Sequence, residues 1–318
     1  MIAPELRTIG RVGNVLVGGG KRTEAQLRKQ DPLILRLLGR MTPKGVDVAV
    51  RRLARTDGTE LEVLVVTRSD STATDRPGIL WLHGGGYSTG TARGELLAAK
   101  SVFAVTDAVI VAPEYRRSKE EPYPAALDDC YQALVWLKEH ADELGVRSDQ
   151  LIVAGGSAGG GLTAATTLRA RETGAVKIAF QMPFYPMIDD RPTPSSIDND
   201  APIYDSVTND ANWRIYLGDL YGTDRIPVTA VPARETDYRG LPPTITFVGS
   251  IEPFRDETVA YVENLRAASV PVEFLEVDGA WHAFDGLAGW TKIAKKTAAW
   301  KNDRFREYLA KHRAPQVP

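Results

Sequence analysis

One serine in this 318-residue chain stands in a context that suits nucleophilic catalysis. Ser157 has small neighbours on both sides, in Gly-Gly-Ser-Ala-Gly (155–159), between the apolar run LIVAG (151–155) and a helix-like segment. The pattern G-x-S-x-G between a strand and a helix is typical of a nucleophile elbow, a turn so tight that only small neighbours fit. A glycine-rich turn that binds phosphate, or binds nothing, is the alternative interpretation.

A second glycine-rich loop, His83-Gly84-Gly85-Gly86, directly follows the strand-like run ILWLH (79–83). Three consecutive glycines allow main-chain N–H groups to face one point, which is how the negative oxygen of a tetrahedral intermediate is stabilised. Taken alone, the loop could be merely flexible. Because parallel strands end at one edge of a sheet and both loops follow strands, the two motifs together predict acyl-transfer chemistry.

A serine hydroxyl needs a general base, and in this kind of site the order along the chain is serine, acid, histidine. The chain contains four histidines. His83 precedes the serine, His140 lies in a polar helix end, and His312 stands near the end of the sequence. His282 alone directly follows a late strand-like run, so it is the predicted base.

The acid is expected just past the strand that precedes the histidine's own strand. That strand is TITFVGS (244–250); Glu252 follows at its end, and Asp256 comes one helical turn later. Acidic residues at a helix start also serve simply to complement the helix dipole. Glu252 is the preferred candidate, and Asp256 remains the alternative.

These residues need a scaffold that brings the ends of several strands together. The rest of the chain shows the sequence pattern of such a scaffold. Apolar runs alternate with helical segments, which predicts an α/β fold: an eight-stranded, mostly parallel sheet with helices on both faces. Thr56-Asp57-Gly58 separates the first two runs and predicts a hairpin. The predicted strands are 46–54, 60–66, 79–83, 108–112, 151–155, 177–182, 244–248 and 272–277. The predicted helices lie near 94–106, 125–144, 158–173, 256–268 and 291–311.

Two segments fall outside this alternation. Apolar residues recur at helical spacing between Thr23 and Arg40, and Asp31-Pro32 predicts the start of a second short helix there. Residues 1–45 are therefore interpreted as a helical segment apart from the sheet. Residues 187–240 show no strand pattern and are interpreted as an insertion over the sheet of a domain formed by residues 46–318.

Composition narrows the classes of function. Lys and Arg total 39 and Asp and Glu total 41, for a net charge of −2, so the basic stripe of a nucleic-acid-binding protein is absent. No apolar run reaches the roughly 18 residues of a membrane span, and the opening MIAPELRTIG lacks the apolar core of a signal peptide. The single Cys130 cannot form an intrachain disulfide. The sequence thus predicts a cytoplasmic protein.

Several blocks of the sequence resemble the hormone-sensitive-lipase-like esterases, the bacterial family IV of α/β-hydrolases. They are HGGGYSTG (83–90), PEYRRSKEEPYPAALDDCYQALVWL (113–137), GGSAGGGL (155–162), GLPPTITFVGSIEPFRDE (240–257) and DGAWHAF (278–284). The resemblance extends from about residue 60 to residue 290. It implies an α/β-hydrolase fold and a serine carboxylesterase whose N-terminal helical cap is completed by the 187–240 insertion.

The resemblance also implies roles for the glycine-rich loops. The N–H groups of Gly85, Gly86 and Ala158 would hold the oxyanion. His83 and Gly84 would belong to the same oxyanion loop.

The sequence departs from the family pattern in three places. Gly156 stands where the family usually has Asp or Thr, and Arg117-Ser118-Lys119-Glu120 replaces the usual Leu-Ala-Pro-Glu. Glu252 stands where the family usually has Asp. None of these departures removes a catalytic function, but together they suggest an outlying branch of the family.

The sequence therefore predicts a serine hydrolase that uses no metal or other cofactor and cleaves short-chain, fairly hydrophobic carboxylic esters. Ser157 would be the nucleophile, His282 the base and Glu252 the orienting acid. The same machinery acting on an amide or a lactone is one alternative, and a ligand-binding receptor of the same fold is another. The expected partner is a small-molecule ester, not a nucleic acid or an integral membrane. A homo-oligomer, and contact of the leucine-rich stretch 33–38 with a lipid surface, stay open.

Overall fold

The computed structural model describes residues 1–16, 20–29 and 42–316. The strands in these ranges are β1 (Val46–Ala54), β2 (Glu60–Arg68), β3 (Arg76–Leu82), β4 (Val109–Pro113), β5 (Val146–Gly156), β6 (Phe180–Phe184), β7 (Thr244–Gly249) and β8 (Val272–Val277). They form one sheet in the order β1-β2-β4-β3-β5-β6-β7-β8. β2 is antiparallel to both β1 and β4, and every other neighbouring pair is parallel. The predicted α/β class and mostly parallel, eight-stranded sheet are confirmed.

Helices cover both faces of this sheet. They are α1 (Pro4–Leu16), α2 (Glu24–Lys29), α3 (Leu96–Phe103), α4 (Ala125–Glu139), α5 (Ala158–Thr173), α6 (Ser206–Leu217), α7 (Arg255–Ala267), α8 (Phe284–Leu287) and α9 (Lys292–Lys311). Short 3-10 turns occur at Arg93–Glu95, Gly218–Leu220 and Pro232–Arg234. In the ranges described, no helix combines the length and the apolar composition needed to cross a bilayer.

The alternation of side chains along the strands produces the two layers. In β5, Leu151 and Val153 pack in the cluster that contains residues of α4 and α5. Ile152 and Ala154 pack in the opposite cluster, with residues of α3 and α9. Because each buried aliphatic side chain contributes about 1.5–3 kcal/mol, this two-sided burial holds the strands firmly. The carboxyl ends of the parallel strands therefore form a fixed edge from which the candidate loops emerge.

Strand pairing sets boundaries that the apolar pattern located only approximately. The strand predicted at 177–182 begins at Phe180, opposite Ile152, and continues to Phe184, opposite Gly156. The predicted start was wrong because apolar residues begin before the pairing with β5 does. The predicted hairpin is confirmed, since β1 and β2 pair in antiparallel register on either side of Thr56-Asp57-Gly58.

Residues 1–45 contribute α1 and α2 to the described structure. The helical pattern between Thr23 and Arg40 is represented there by α2. The helix start predicted at Asp31-Pro32 and the leucine-rich stretch 33–38 lie outside the described residues. The helix α1 was not predicted, and its fully buried Leu6 packs in the same cluster as α3 and α9.

Residues 187–240 contain α6 and no strand. The helix begins where it does because the Asp205 side chain accepts the N–H of Thr208 at 2.9 Å, a typical N-cap bond. Leu27 of α2 is buried against Ala211 of α6. The N-terminal segment and the 187–240 segment therefore contact each other.

Candidate active site

Ser157 occupies the turn between β5 and α5, with φ +61° and ψ −125°. Such a backbone conformation costs a residue with a side chain about 1–3 kcal/mol. Close packing explains the flanking glycines: a Cβ at Gly155 would lie 2.5 Å from the carbonyl oxygen of Leu82, and one at Gly159 would lie 2.0 Å from it. This strained turn is the elbow geometry that presents a serine hydroxyl to a bound substrate.

Ser157, His282 and Glu252 come together as a chain of hydrogen bonds. Nε2 of His282 lies 2.8 Å from Oγ of Ser157, and Nδ1 of His282 bonds to Oε2 of Glu252. The other carboxylate oxygen accepts the N–H of Gly249 at 2.6 Å. All three side chains are buried. The order of the bonds is that of a nucleophile, a base and an orienting acid.

The electrostatics of the acid follow from its burial. Loss of contact with water raises the pKa of Glu252, and the adjacent His282 and the N–H of Gly249 act in the opposite direction. The negative charge of this carboxylate is therefore stabilised chiefly by the imidazole and one backbone amide.

Asp256, the alternative acid, has other partners. Its Oδ2 accepts the N–H of Ser195 at 2.8 Å, and its Oδ1 accepts a bond from the Arg255 guanidinium at 2.7 Å. Its own N–H donates to the Ser195 hydroxyl at 3.0 Å. Asp256 thus ties a loop to the start of α7, and it is Glu252 that the fold brings to His282.

The loop after β3 lies beside the nucleophile. A Cβ at Gly84 would be only 3.5 Å from Cβ of Ser157. Gly85 and Gly86 have φ values of +123° and +60°, which favour glycine. Within the described part of the chain, the N–H groups of Gly85, Gly86 and Ala158 donate to no protein acceptor. Three free donors next to a serine hydroxyl can bind an oxyanion.

His83 shapes the start of this loop through its contacts with Tyr115 and Gly84. Its ring stacks on Tyr115 with the centroids 3.9 Å apart and the planes 7° from parallel. Its Nδ1 lies 2.8 Å from the carbonyl oxygen of Gly84, and the carbonyl oxygen of His83 accepts the Tyr115 hydroxyl at 2.8 Å. These contacts fix the start of the loop.

Comparison with known proteins agrees with this geometry. A family model described as the alpha/beta hydrolase fold matches residues 79–286. The chain belongs to this family. The resemblance to the hormone-sensitive-lipase-like branch is confirmed by the same match and by the relatives.

The relatives of this hydrolase carry esterase names. "Esterase LipI" of Mycobacterium tuberculosis is 36% identical over 217 residues, which are 68% of this chain and 68% of that protein. "Carboxylesterase NlhH" of the same species is 36% identical over 216 residues, 67% of each chain. A solved structure named "Bacterial Heroin Esterase" superposes with a TM-score of 0.87 at 31% identity, covering 97% of this chain and 98% of that one.

Glu95 was not predicted, although it holds the glycine-rich loop of the hydrolase. Its Oε1 accepts the N–H of Gly84 at 2.9 Å, and its Oε2 accepts the indole N–H of Trp81 at 3.0 Å. Burial raises the pKa of this carboxyl. No motif marks such a residue, because its partners are a backbone amide and an indole on another element.

The family departure at Gly156 has a structural cause. A Cβ at Gly156 would lie 2.9 Å from the ring of Tyr185. That ring meets the His282 ring edge-on, with the centroids 5.0 Å apart, and its hydroxyl donates to Asp285 at 3.1 Å. Tyr185 therefore fills the space that the usual side chain would need, and it forms part of the site's wall.

The 187–240 segment reaches the site through Asn212 and Tyr204. The Ser88 hydroxyl donates to Oδ1 of Asn212 at 2.5 Å, and Nδ2 of Asn212 donates to the Tyr204 hydroxyl at 3.0 Å. The Tyr204 ring lies 5.3 Å from the ring of His282. This segment therefore contacts both the glycine-rich loop and the candidate base.

A cavity of about 520 Å³ opens onto Ser157. Its walls include residues of the N-terminal segment, the glycine-rich loop, α3, the 187–240 segment, the loop after His282 and α9. Its larger apolar side chains are Leu27, Trp81, Leu97, Phe184, Tyr185, Ile203, Tyr204 and Leu287. A mostly apolar lining with a few polar groups is typical of a small-molecule site.

Proposed function

We propose that this hydrolase is a serine carboxylesterase that cleaves small, fairly hydrophobic esters through an acyl-enzyme. One observation carries the proposal: the hydrogen-bonded chain Ser157–His282–Glu252 lies beside the N–H groups of Gly85 and Gly86, which donate to no acceptor among the described residues. A nucleophile, a base, an acid and oxyanion donors are the groups that acyl transfer requires.

In the acylation step, Nε2 of His282 accepts the hydroxyl proton of Ser157 while Oγ attacks the acyl carbon. The carbonyl oxygen becomes an anion and accepts hydrogen bonds from Gly85, Gly86 and Ala158. Each such donor is typically worth about 3–4 kcal/mol in the transition state.

Glu252 keeps the proton on Nδ1 of His282, so that the unprotonated Nε2 faces Ser157, and its charge stabilises the imidazolium that forms. The imidazolium then gives its proton to the oxygen of the leaving alcohol. In the second half, water loses a proton to His282 and attacks the acyl carbon. Ser157 leaves and regains its proton.

The cavity supports a preference for short acyl chains. Its volume is about 520 Å³, and Leu27 of the N-terminal segment and Ile203 and Tyr204 of the 187–240 segment help to line it. Small-molecule sites span about 300–1,000 Å³, so a cavity of this volume suits a short ester better than a long-chain one. The esterase names of LipI, NlhH and the heroin esterase support the ester as the bond that is cleaved.

Serine labelling tests the mechanism. An organophosphate should label one peptide, the one that contains Ser157. The Ser157→Ala variant should lose about six orders of magnitude in kcat on p-nitrophenyl acetate. Ser148→Ala, on an exposed strand position, is the control and should match the wild type. Label at another serine, or full turnover by Ser157→Ala, would overturn the mechanism.

A substrate panel tests the bond and the chain length. Esters with acyl groups of about two to sixteen carbons are compared by kcat/KM with an anilide and a lactone. The proposal expects the highest values for the short esters. Equal kcat/KM across all lengths would contradict an enclosed site, and a faster reaction with the anilide or the lactone would move the function to that class.

A further inference from the structure

One wall of the cavity carries an ion pair that the proposed reaction does not use. Asp285 lies in α8, three residues after His282, and Lys301 lies in α9; Nζ and Oδ2 are 3.9 Å apart. Both residues line the cavity that contains Ser157, and their side chains are only 16% and 17% exposed. The separation exceeds the roughly 2.7–3.2 Å of a direct N–H···O bond.

This pair keeps unused hydrogen-bonding capacity. Across the ranges that the structure describes, Nζ of Lys301 has no protein acceptor within hydrogen-bond distance, and Oδ2 of Asp285 has no donor. Oδ1 accepts the Tyr185 hydroxyl at 3.1 Å. The Phe184 ring lies 5.2 Å from Nζ and favours the ammonium at this place. An ammonium offers three donors, so a ligand at this wall gains by accepting one.

The pair's position points to the alcohol part of an ester. His282 must reach the leaving oxygen in order to protonate it, and the Tyr185 ring lies directly against His282. The Tyr185 hydroxyl in turn donates to Asp285, so the ion pair lies within reach of a group attached to the leaving oxygen. The glycine-rich loop and Asn212 also line the cavity.

A hydroxyl group is the chemical match. An oxygen about 2.8 Å from both atoms can accept from Lys301 and donate to Asp285, because the two are only 3.9 Å apart. A carboxylate would be repelled by Asp285, and an alkyl group would leave Nζ of Lys301 and Oδ2 of Asp285 without a direct hydrogen bond. We propose that this pair binds a second hydroxyl on the alcohol part, so that the preferred substrates are monoesters of diols or polyols. The inference rests on the proposed carboxylesterase function.

Matched substrates test the inference on the wild-type protein. Hydrolysis of p-nitrophenyl acetate is measured first. Monoacetates of straight-chain diols of about two to six carbons are then compared with alkyl acetates that carry a methyl group in place of the hydroxyl. At one or more lengths, kcat/KM for the diol monoester should exceed that of its alkyl partner by about tenfold, the worth of one charge-assisted bond.

Two variants then test whether Lys301 causes the preference for diol monoesters. Lys301→Met keeps the length of the side chain and removes the ammonium, and the diol-to-alkyl ratio should fall to about one. Lys296→Met, an exposed lysine of the same helix, is the control and should keep the ratio. Because the ratio compares two substrates on one preparation, a partly unfolded variant does not distort it.

The outcomes separate the two proposals. A wild-type ratio near one at every length, or a ratio that survives Lys301→Met, would overturn the hydroxyl site while ester hydrolysis itself stands. A wild-type protein that hydrolyses no ester would instead overturn the proposed function, and with it this inference.

Discussion

The carboxylate of Glu95 accepts the backbone N–H of Gly84 at 2.9 Å. An acid outside the hydrogen-bonded chain at Ser157 thereby orients the peptide that precedes Gly85 and Gly86. Because one carboxylate oxygen serves Gly84 and the other serves Trp81, the loop is also tied to β3. The proposed oxyanion donors Gly85 and Gly86 thus depend on a residue that lies outside the proposed catalytic chain.

Removing the Glu95 carboxylate should destabilise the transition state more than it weakens substrate binding. We expect Glu95→Leu to lower kcat on p-nitrophenyl acetate by about 10- to 100-fold with little change in KM, since oxyanion contacts strengthen only in the transition state. Glu95→Gln retains one acceptor oxygen for two N–H donors, so its loss should be smaller. A Glu95→Leu enzyme within about twofold of the wild-type kcat would contradict this role.

The two candidate acids should differ sharply. Glu252→Gln should lose about four orders of magnitude in kcat, because an amide at this place favours the wrong imidazole tautomer. Asp256→Asn should lose far less, since Asp256 bonds to Ser195 and Arg255. Glu252→Asp should fall between them, because it keeps the charge but is one methylene shorter. Circular dichroism checks that each variant is folded, and the reverse ranking would assign the role to Asp256.

Gly156 and Tyr185 should behave as a coupled pair. Gly156→Ala places a methyl group 2.9 Å from the Tyr185 ring, so the ring must move and kcat/KM should fall by about tenfold. In a Tyr185→Ala background the clash is gone, and the same alanine should cost much less. A double-mutant cycle on kcat/KM measures the coupling. Strictly additive effects would mean that the two side chains do not compete for this space.

Glu114 should make stability depend on pH. Burial raises its pKa to about 7, so the folded protein binds this proton more tightly than the unfolded chain does. The unfolding free energy should therefore fall as the pH rises through the interval from about 4.5 to about 7, by at most about 3 kcal/mol. The Glu114 carboxylate accepts the N–H of Ala92 at 2.9 Å. Glu114→Gln keeps an acceptor oxygen for this bond but does not titrate, so its stability should lack this pH dependence.

Urea unfolding at several pH values between about 5 and 8 compares the unfolding free energy of the wild type with that of Glu114→Gln. The stability of Glu114→Gln relative to the wild type should increase up to about pH 7 and then stay level. Parallel stability curves for the two proteins would show that Glu114 titrates normally in the folded state.

Ser157 was a candidate nucleophile because its signal is local, and His282 was the candidate base because of its order along the chain and its place after a late strand. A tight turn with close backbone contacts requires small residues next to the serine, and these residues appear in the sequence itself. The sheet was predictable for a similar reason, since strands buried on both faces must be continuous apolar runs. Burial of both faces does not specify where pairing begins, so the strand start near Phe180 was missed.

Glu252 and Asp256 stand four residues apart, and the place of Glu252 at the strand end made it the preferred candidate without excluding Asp256. Only the fold shows that Ser195 and Arg255 engage Asp256 while Glu252 faces the imidazole. The same limit applies to the contacts Glu95–Gly84, Ser88–Asn212 and Asp285–Lys301. Each joins residues on different elements, and one joins a side chain to a backbone amide. Tertiary packing alone brings such groups together, so it decides how the loop is held and which charged groups face the cavity.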